Sequence, residues 1–423
     1  MSRIKSVVIT PIAFRDPPLL NVSGIHEPWA LRSIIEVITE DGQYGLSESY
    51  GDEQTLSELN KVAPKLEGLD VFQLNTLKAI VDEAVGGEDP DETGLELAPG
   101  TNKATTLPRI FAAFEVAFLD LMGKLTGRSV CDLLGGKVRD AVPFSAYLFY
   151  KYGEHKSLDD GWVDKWGEVI TPEAVVREAR QMIDEYGFQS IKLKGGVFEP
   201  EEELAAVRAL KEAFPDHPLR IDPNGGWTVE TTERLMPAMD GLLQYLEDPT
   251  PGKAGMGKVH ETARMPLATN MCVIGFFDFP EAIRRQSVDV ILSDHHYWGG
   301  LQATRDLARI CETWGLGLSM HSNSHLGISL MAMTHAAAAI DNLTYACDTH
   351  YPWQEEEVIV GGKIAFENGS VRVPDAPGLG VELDRESLAV LARNYQECGI
   401  RSRNDVKEMQ KYDPHWTGKS PRF

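Results

Sequence analysis

The sequence predicts an α/β protein whose parallel strands close into a barrel, preceded by a smaller α+β region. Two observations lead there. From residue 142 to residue 345, short apolar runs alternate with amphipathic helical patterns, and alternating β and α units imply parallel strands. Eight runs with seven helical patterns between them make a barrel the expected architecture, with an open doubly wound sheet as its rival. The second observation is chemical. Polar residues recur at the C-terminal ends of the runs, where barrel proteins collect their functional groups.

The elements can be justified in order. The first 140 residues differ from the rest: 4–14 and 31–39 read as antiparallel strands, and 110–125 as a long apolar-periodic helix. The barrel runs are 142–148, 188–194 and 219–222, then segments ending near Glu247, Asn270, Asp294, His321 and Tyr345. Thr171 is placed to cap the first intervening helix, with Pro172 at its first position. Val175, Val176, Ala179, Met182 and Ile183 follow a helical period, and Gly187 ends the run. A second helical pattern fills 201–214. The spacing of about 25 residues is that of one βα unit. After Pro377 the pattern gives one helix, 385–398, and a polar tail. The expected division is therefore 1–140, an α+β unit; 141–377, the barrel; and 378–423, a C-terminal segment packing on the first unit. The stretch 86–103, rich in glycine, proline and acids, is expected to be mobile.

Composition narrows the function. The chain has 423 residues, 43% of them apolar, and a formal charge of −23. That balance argues against nucleic acid or an anionic membrane as a partner, since both need basic surface. It leaves room for a small anionic substrate held by a local positive site. The five cysteines, Cys131, Cys272, Cys311, Cys347 and Cys398, form no CxxC pair and read as small core residues of a reduced compartment. No apolar run has the length of a membrane span, and the N-terminus lacks the apolar stretch of a signal peptide. A soluble, cytoplasmic enzyme is the expectation.

The strand ends carry the chemistry. In IKLKGG, Lys192 and Lys194 are two apart on a strand and point the same way, inward where helices cover the outer face. Two adjacent ammonium groups lower each other's pKa, which would make one of them a usable base. Asp222, Glu247 and Asn270 follow on three successive strand ends, each offering an oxygen, and hard cations such as Mg²⁺ take oxygen ligands. Asp294 and His321 end the next two strands, where a carboxylate can orient an imidazole and raise the basicity of its other nitrogen. His321 and His325 have i,i+4 spacing, yet the glutamate of a zinc HExxH motif is missing and the oxygen set points to a different ion. Bases flanking a divalent ion suit abstraction of a proton next to a carboxylate, where an enediolate must be stabilised.

This constellation resembles the enolase superfamily, whose sites use a Lys or His base with Mg²⁺. The segments NVSGIHEP, IKLKGGV, LEDP, ATNM, SDHHYWGG, HSNSHLGIS, DTHYPWQ and PGLGVE are similar to those of the D-glucarate dehydratases and cover most of the barrel. The resemblance implies an N-terminal α+β capping domain on a modified (β/α)7β barrel of TIM type. It implies Lys194 as one base with Lys192 as its electrostatic helper, and His321, oriented by Asp294, as the other, assisted by Asn323. Mg²⁺ would be bound by Asp222, Glu247 and Asn270, with Asn224 beside them but not a ligand. Asn21, His26, Tyr147, Phe149 and His350 would bind substrate. Arg422 would reach a distal carboxylate, with Lys419 as the alternative. The implied reaction is dehydration of D-glucarate to 5-keto-4-deoxy-D-glucarate, with L-idarate accepted through Lys194. Where the resemblance implies a glycine-richer GE-PGG stretch, the chain reads GLSESYGDE. A different hexarate or a monoacid sugar, an epimerase, and a non-catalytic paralogue stay open as alternatives. A homo-oligomer is expected.

Overall fold

The structure, a computed structural model, describes residues 2–85, 105–158 and 161–423, so the whole 86–103 stretch lies outside the described residues. The chain opens with a three-stranded antiparallel sheet in the order β1 (Ile4–Arg15), β2 (Trp29–Thr39), β3 (Tyr44–Tyr50). The first two strands match expectation. The third falls in GLSESY, too polar for an alternating apolar pattern. Ser47 and Ser49 are buried there nonetheless, beside the long helix Thr106–Thr126.

The predicted run 142–148 is two strands. β4 (Ala141–Pro143) pairs antiparallel with β12 (Ser370–Arg372) outside the barrel. The chain then turns into β5 (Ala146–Phe149), the first barrel strand. The run does not reveal such a break, because the residues on either side of it are apolar, although β4 is buried only at Val142.

β5 continues in parallel register through β6 (Ile191–Lys194), β7 (Leu219–Asp222), β8 (Tyr245–Glu247), β9 (Leu267–Thr269), β10 (Val290–Ser293) and β11 (Gly317–Met320). The eighth run is not a regular strand, but 344–348 closes the curled sheet. Asp348 N donates to Met320 O at 2.8 Å on one side, and Ser145 N donates to Cys347 O at 2.8 Å on the other. Eight α-helices lie between Pro172–Tyr186 and Gly327–Ala338 inclusive among the described residues, one per connection except that β10 and β11 are joined by two, His295–Trp298 and Gly300–Trp314. The first starts as expected: Thr171 accepts from Ala174 N, Pro172 leads, and Gly187 at φ 74° ends it.

Side chains of the helix Thr106–Thr126 tie the two parts together. Asp120 accepts from Leu46 N of β3 and from Leu379 N, both at 2.7 Å. Glu115, fully buried, accepts from Leu301 N and Gln302 N at the start of the barrel helix Gly300–Trp314, both at 3.0 Å. Burial pushes the Glu115 carboxyl up to about 7 against those two donors. Glu115→Ala leaves two helix-end N–H groups buried without partners, a loss of about 1–3 kcal/mol. Thermal unfolding should therefore begin several degrees lower; an unchanged melting profile would show that this joint carries no load.

The C-terminal helix Arg385–Glu397 packs on β1, and Arg385 pairs with Glu36 of β2 at 2.5 Å. The tail beyond it forms a short helix, Asp405–Met409, and returns to the barrel mouth. Cys131, Cys272, Cys311 and Cys347 are buried free thiols as expected, whereas Cys398 is only half-buried. No helix among the described residues is long and apolar enough to cross a membrane.

Candidate active site

The barrel strands deliver their last residues to one end. In β6, Lys192 and Lys194 both point inward, with Tyr147 of β5 beside them; Lys192 Nζ lies 4.7 Å from the Tyr147 ring centroid. The glycines that follow are required by packing. Gly196 sits at φ +74°, and a Cβ there would fall 2.1 Å from Pro223 O. Glu203 stabilises this turn by accepting from Gly196 N, Val197 N and Phe198 N.

The lysine pair does not behave as the sequence suggested. Lys192 is fully buried among carboxylates: Glu247 and Asp348 lie 2.6 Å from its Nζ and Asp222 lies 3.7 Å away. Burial lowers its affinity for a proton, but Asp348 and Glu247 more than offset this and hold it well above the usual lysine range. The expected mutual depression is therefore overridden at Lys192, by acids that only the closed barrel brings near. Lys194 Nζ donates to Asp222 Oδ2 at 2.6 Å and to Asn224 Oδ1 at 2.5 Å. Asn224 reaches it because the chain turns left-handed after β7, with φ 57° at Asn224.

Asp222, Glu247 and Asn270 lie side by side at the ends of β7 to β9, all fully buried. Asn270 has no hydrogen-bond partner on either amide atom, and Glu247 Oε1 has none. Buried polar groups left this way are costly unless a ligand satisfies them. Burial, and then the neighbouring acids, push the Glu247 carboxyl well above its usual range in spite of Lys192. Two carboxylates and an amide oxygen, buried together and with Glu247 Oε1 and Asn270 Oδ1 unpartnered, make a donor set that fits a divalent cation. Asp248 serves the cluster from behind. It accepts from Thr269 Oγ1, Asn270 N and Met271 N, which fixes the turn carrying Asn270.

On the other arc, Asp294 Oδ2 meets His321 Nδ1 at 3.0 Å, leaving Nε2 as the nitrogen available to the cavity that His321 lines. The zinc reading of His321 and His325 finds no support. The two are not on a common helix, and His325 Nδ1 is bonded to Leu326 O. Asp294, His295 and His296 are close enough together to hold an ion, but both Asp294 oxygens are engaged by His296 and His321.

One cavity opens between the two arcs, and Asp222, Glu247 and Asn270 are not among the residues that line it. Lys194, Asn224, His321 and Asn323 line it together with Asn21, His26, Tyr147, Phe149 and His350, so the structure brings these expected substrate contacts to one place. His26 Nδ1 is held by Asp16 at 2.9 Å, and His350 Nδ1 by Ser322 Oγ at 3.0 Å. Burial holds His350 well below the usual histidine range, so its ring is neutral. Arg422 is the exception. Its guanidinium stacks 3.7 Å over Trp416 and donates to Val22 O, away from the cavity lining. Lys419 is exposed. The arginine that does line the cavity is Arg403, paired at two points with Asp405, which in turn accepts from Asn21 Nδ2 at 2.7 Å. The signal for it lay in the polar tail, where Arg401, Arg403 and Arg422 cannot be ranked without the fold. Ser322 and Asp348, also missed, stand inside motifs already singled out, HSNSHLGIS and DTHYPWQ.

Fold and site together define a barrel enzyme in which Lys194 and His321 line one cavity, with the buried oxygen donors Asp222, Glu247 and Asn270 at the ends of the strands between them. Residues 174–387 match the family described as "Enolase C-terminal domain-like". A "Probable glucarate dehydratase" of Streptomyces coelicolor is 49% identical over 427 residues, covering 99% of both chains. A crystal structure of an enolase from Pseudomonas fluorescens Pf0-1 with bound magnesium, potassium and tartrate superposes with TM-score 0.97 at 54% identity, covering 100% of this chain and 99% of that one. Another, from Thermobispora bispora with magnesium and formate, gives 0.96 at 52% identity and covers 100% of both chains. The chain belongs to the enolase superfamily and, within it, to the glucarate dehydratase-like hydro-lyases.

Proposed function

We propose that the chain is a Mg²⁺-dependent dehydratase of D-glucarate, also acting on L-idarate, with Asp222, Glu247 and Asn270 as the metal ligands. The observation that carries this reading is that Lys194 and the Asp294-held His321 line the same cavity. When bound, the cation supplies electrostatic stabilisation for the charge that spreads onto the substrate carboxylate. His321 Nε2 takes the proton alpha to that carboxylate. The electrons of the C–H bond form the C=C bond, and the β C–O bond breaks. The departing hydroxide takes the proton held by His321 and leaves as water, with Asn323 assisting beside it. The enol then tautomerises to 5-keto-4-deoxy-D-glucarate.

Lys194 faces the substrate from the opposite arc and exchanges the proton of the epimer. Lys192, paired with Glu247 and Asp348, remains an ammonium and adds positive charge. Asn21, His26, Tyr147, Phe149 and His350 shape the cavity. Arg403, rather than Arg422, is in place for the distal carboxylate, and this favours a diacid over a monoacid sugar. The deciding assay is turnover over a panel of diacid and monoacid sugars with Mg²⁺, read as α-keto acid; silence on glucarate with turnover of another sugar would replace the substrate. Arg403→Ala is expected to raise KM for the diacid about tenfold or more, because a charge-assisted contact is worth about 1.5–3 kcal/mol. The same change should leave a monoacid substrate nearly unaffected.

A further inference from the structure

We propose that His296 is a positioning residue for His321, acting through the carboxylate of Asp294 that the two imidazoles share. This rests on the reading of His321 as the base. Asp294 Oδ1 accepts from His296 N at 2.9 Å and faces His296 Nδ1 at 2.7 Å, while Oδ2 faces His321 Nδ1 at 3.0 Å. A carboxylate can only accept, so both rings donate from Nδ1. Asp294 is indeed ionised: burial opposes its charge, but His296 and then His321 outweigh it and hold the carboxyl well below its usual range.

His296 Nε2 in turn accepts from Ser329 Oγ at 2.9 Å. Both ring nitrogens of His296 are thus engaged, and it does not line the cavity. It has no free nitrogen with which to serve as base or ligand. What it does is fix Asp294. Two donors on Oδ1 set the rotation of the carboxylate and leave Oδ2 for His321, and they also draw off part of the negative charge that His321 would otherwise feel. Misplacement of a catalytic group by about 1 Å can cost up to about a hundredfold in rate, so such a clamp matters.

The other groups facing this chain are few. From β3, the Tyr50 ring lies 5.5 Å from His296, with Arg32 of β2 stacked behind it at 4.6 Å. His295 lies 4.0 Å from His296, and Tyr297 lies 6.3 Å from His321. His325 faces His296, His350 faces His321, and Arg109 of the helix Thr106–Thr126 lies 5.8 Å from the Tyr50 ring. Glu48 of β3 accepts from Ser329 N at 3.0 Å, so the clamp is anchored to the antiparallel sheet.

The test uses two substitutions of the full chain that divide the imidazole. His296→Asn keeps a donor where Nδ1 stands, and His296→Gln keeps an amide near Nε2 and loses that donor. In His296→Gln the Nδ1 proton resonance of His321, freed from competition for Asp294, should move downfield. The acid limb of kcat/KM on D-glucarate should rise by about half to one pH unit, because an unshared carboxylate favours the imidazolium. kcat at the optimum should fall about tenfold with KM within about twofold. His296→Asn should stay at the wild-type resonance and limb. The proposal is overturned if neither variant moves them, or if both move them alike, as a merely structural role would require. If His296→Gln does not fold, Ser329→Ala decides: the ring stays but donates more weakly, so the resonance moves the same way by less, and an unmoved resonance overturns the proposal. If no acid sugar turns over, the proposed function fails while the resonance still answers this question.

Discussion

His321→Asn is expected to lower dehydration of D-glucarate by about 10²–10⁴-fold, the usual contribution of a positioned general base, while the alpha proton of L-idarate continues to exchange with solvent. The substitution is chosen for its geometry. The asparagine amide can donate to Asp294 where His321 Nδ1 does now, at 3.0 Å, so the neighbourhood keeps its packing and loses only the proton acceptor. Lys194 stands on a different strand, held by Asp222 and Asn224, and nothing in that contact depends on His321. Loss on one face with retention on the other is the signature of two independent bases. Deuterium uptake from D₂O, followed by NMR for each sugar, separates the two outcomes. Normal dehydration by this variant would remove His321 from the mechanism.

Stripping the divalent ion is the second large effect. Chelation should reduce turnover to background, and Mg²⁺ should restore it. It should also lower the melting temperature, a readout that needs no substrate. A ligand at 100 times its Kd stabilises the folded state by about 2.7 kcal/mol. The effect has a pH direction. The Glu247 carboxyl is pushed well above its ordinary range by burial and by Asp222 and Asp348, so without the ion it retains a proton to higher pH than a free glutamate. Binding must displace that proton, and affinity therefore rises with pH. The melting temperature gained on adding Mg²⁺ should be larger at pH 8 than at pH 6. Equal gains at both would mean that Glu247 is not a ligand, and no gain at either would remove the cluster from consideration.

The barrel was legible because its signals are local and repeated. Each strand end carries its functional residue in a short motif, and strand order converts sequence order into adjacency. That is why Lys194, Asp222, Glu247, Asn270, Asp294 and His321 could be read in sequence and come together at one end of the barrel, with Lys194 and His321 lining the cavity. What was lost depends on contacts between distant segments. The high proton affinity of Lys192 requires Asp348, 156 residues away, brought beside it by barrel closure. The choice of Arg403 over Arg422 depends on how the tail folds back, and no periodicity records that. β3 was missed because its buried faces are polar, and the split of 142–148 because both of its halves are apolar.

The joint between Asn21 and Asp405 spans 384 residues of chain. In folding terms it is among the most expensive contacts in the molecule, since loop-closure entropy must be met before the bond returns anything. The proton-transfer groups sit on strands whose neighbours are close in sequence, so they can organise early. The wall of Asn21, Arg403 and Asp405, proposed here to meet the far end of the substrate, is assembled late, from the two extremities of the chain. A partly folded molecule would therefore hold its bases before it could discriminate between sugars, which makes selectivity a more sensitive report of complete folding than turnover.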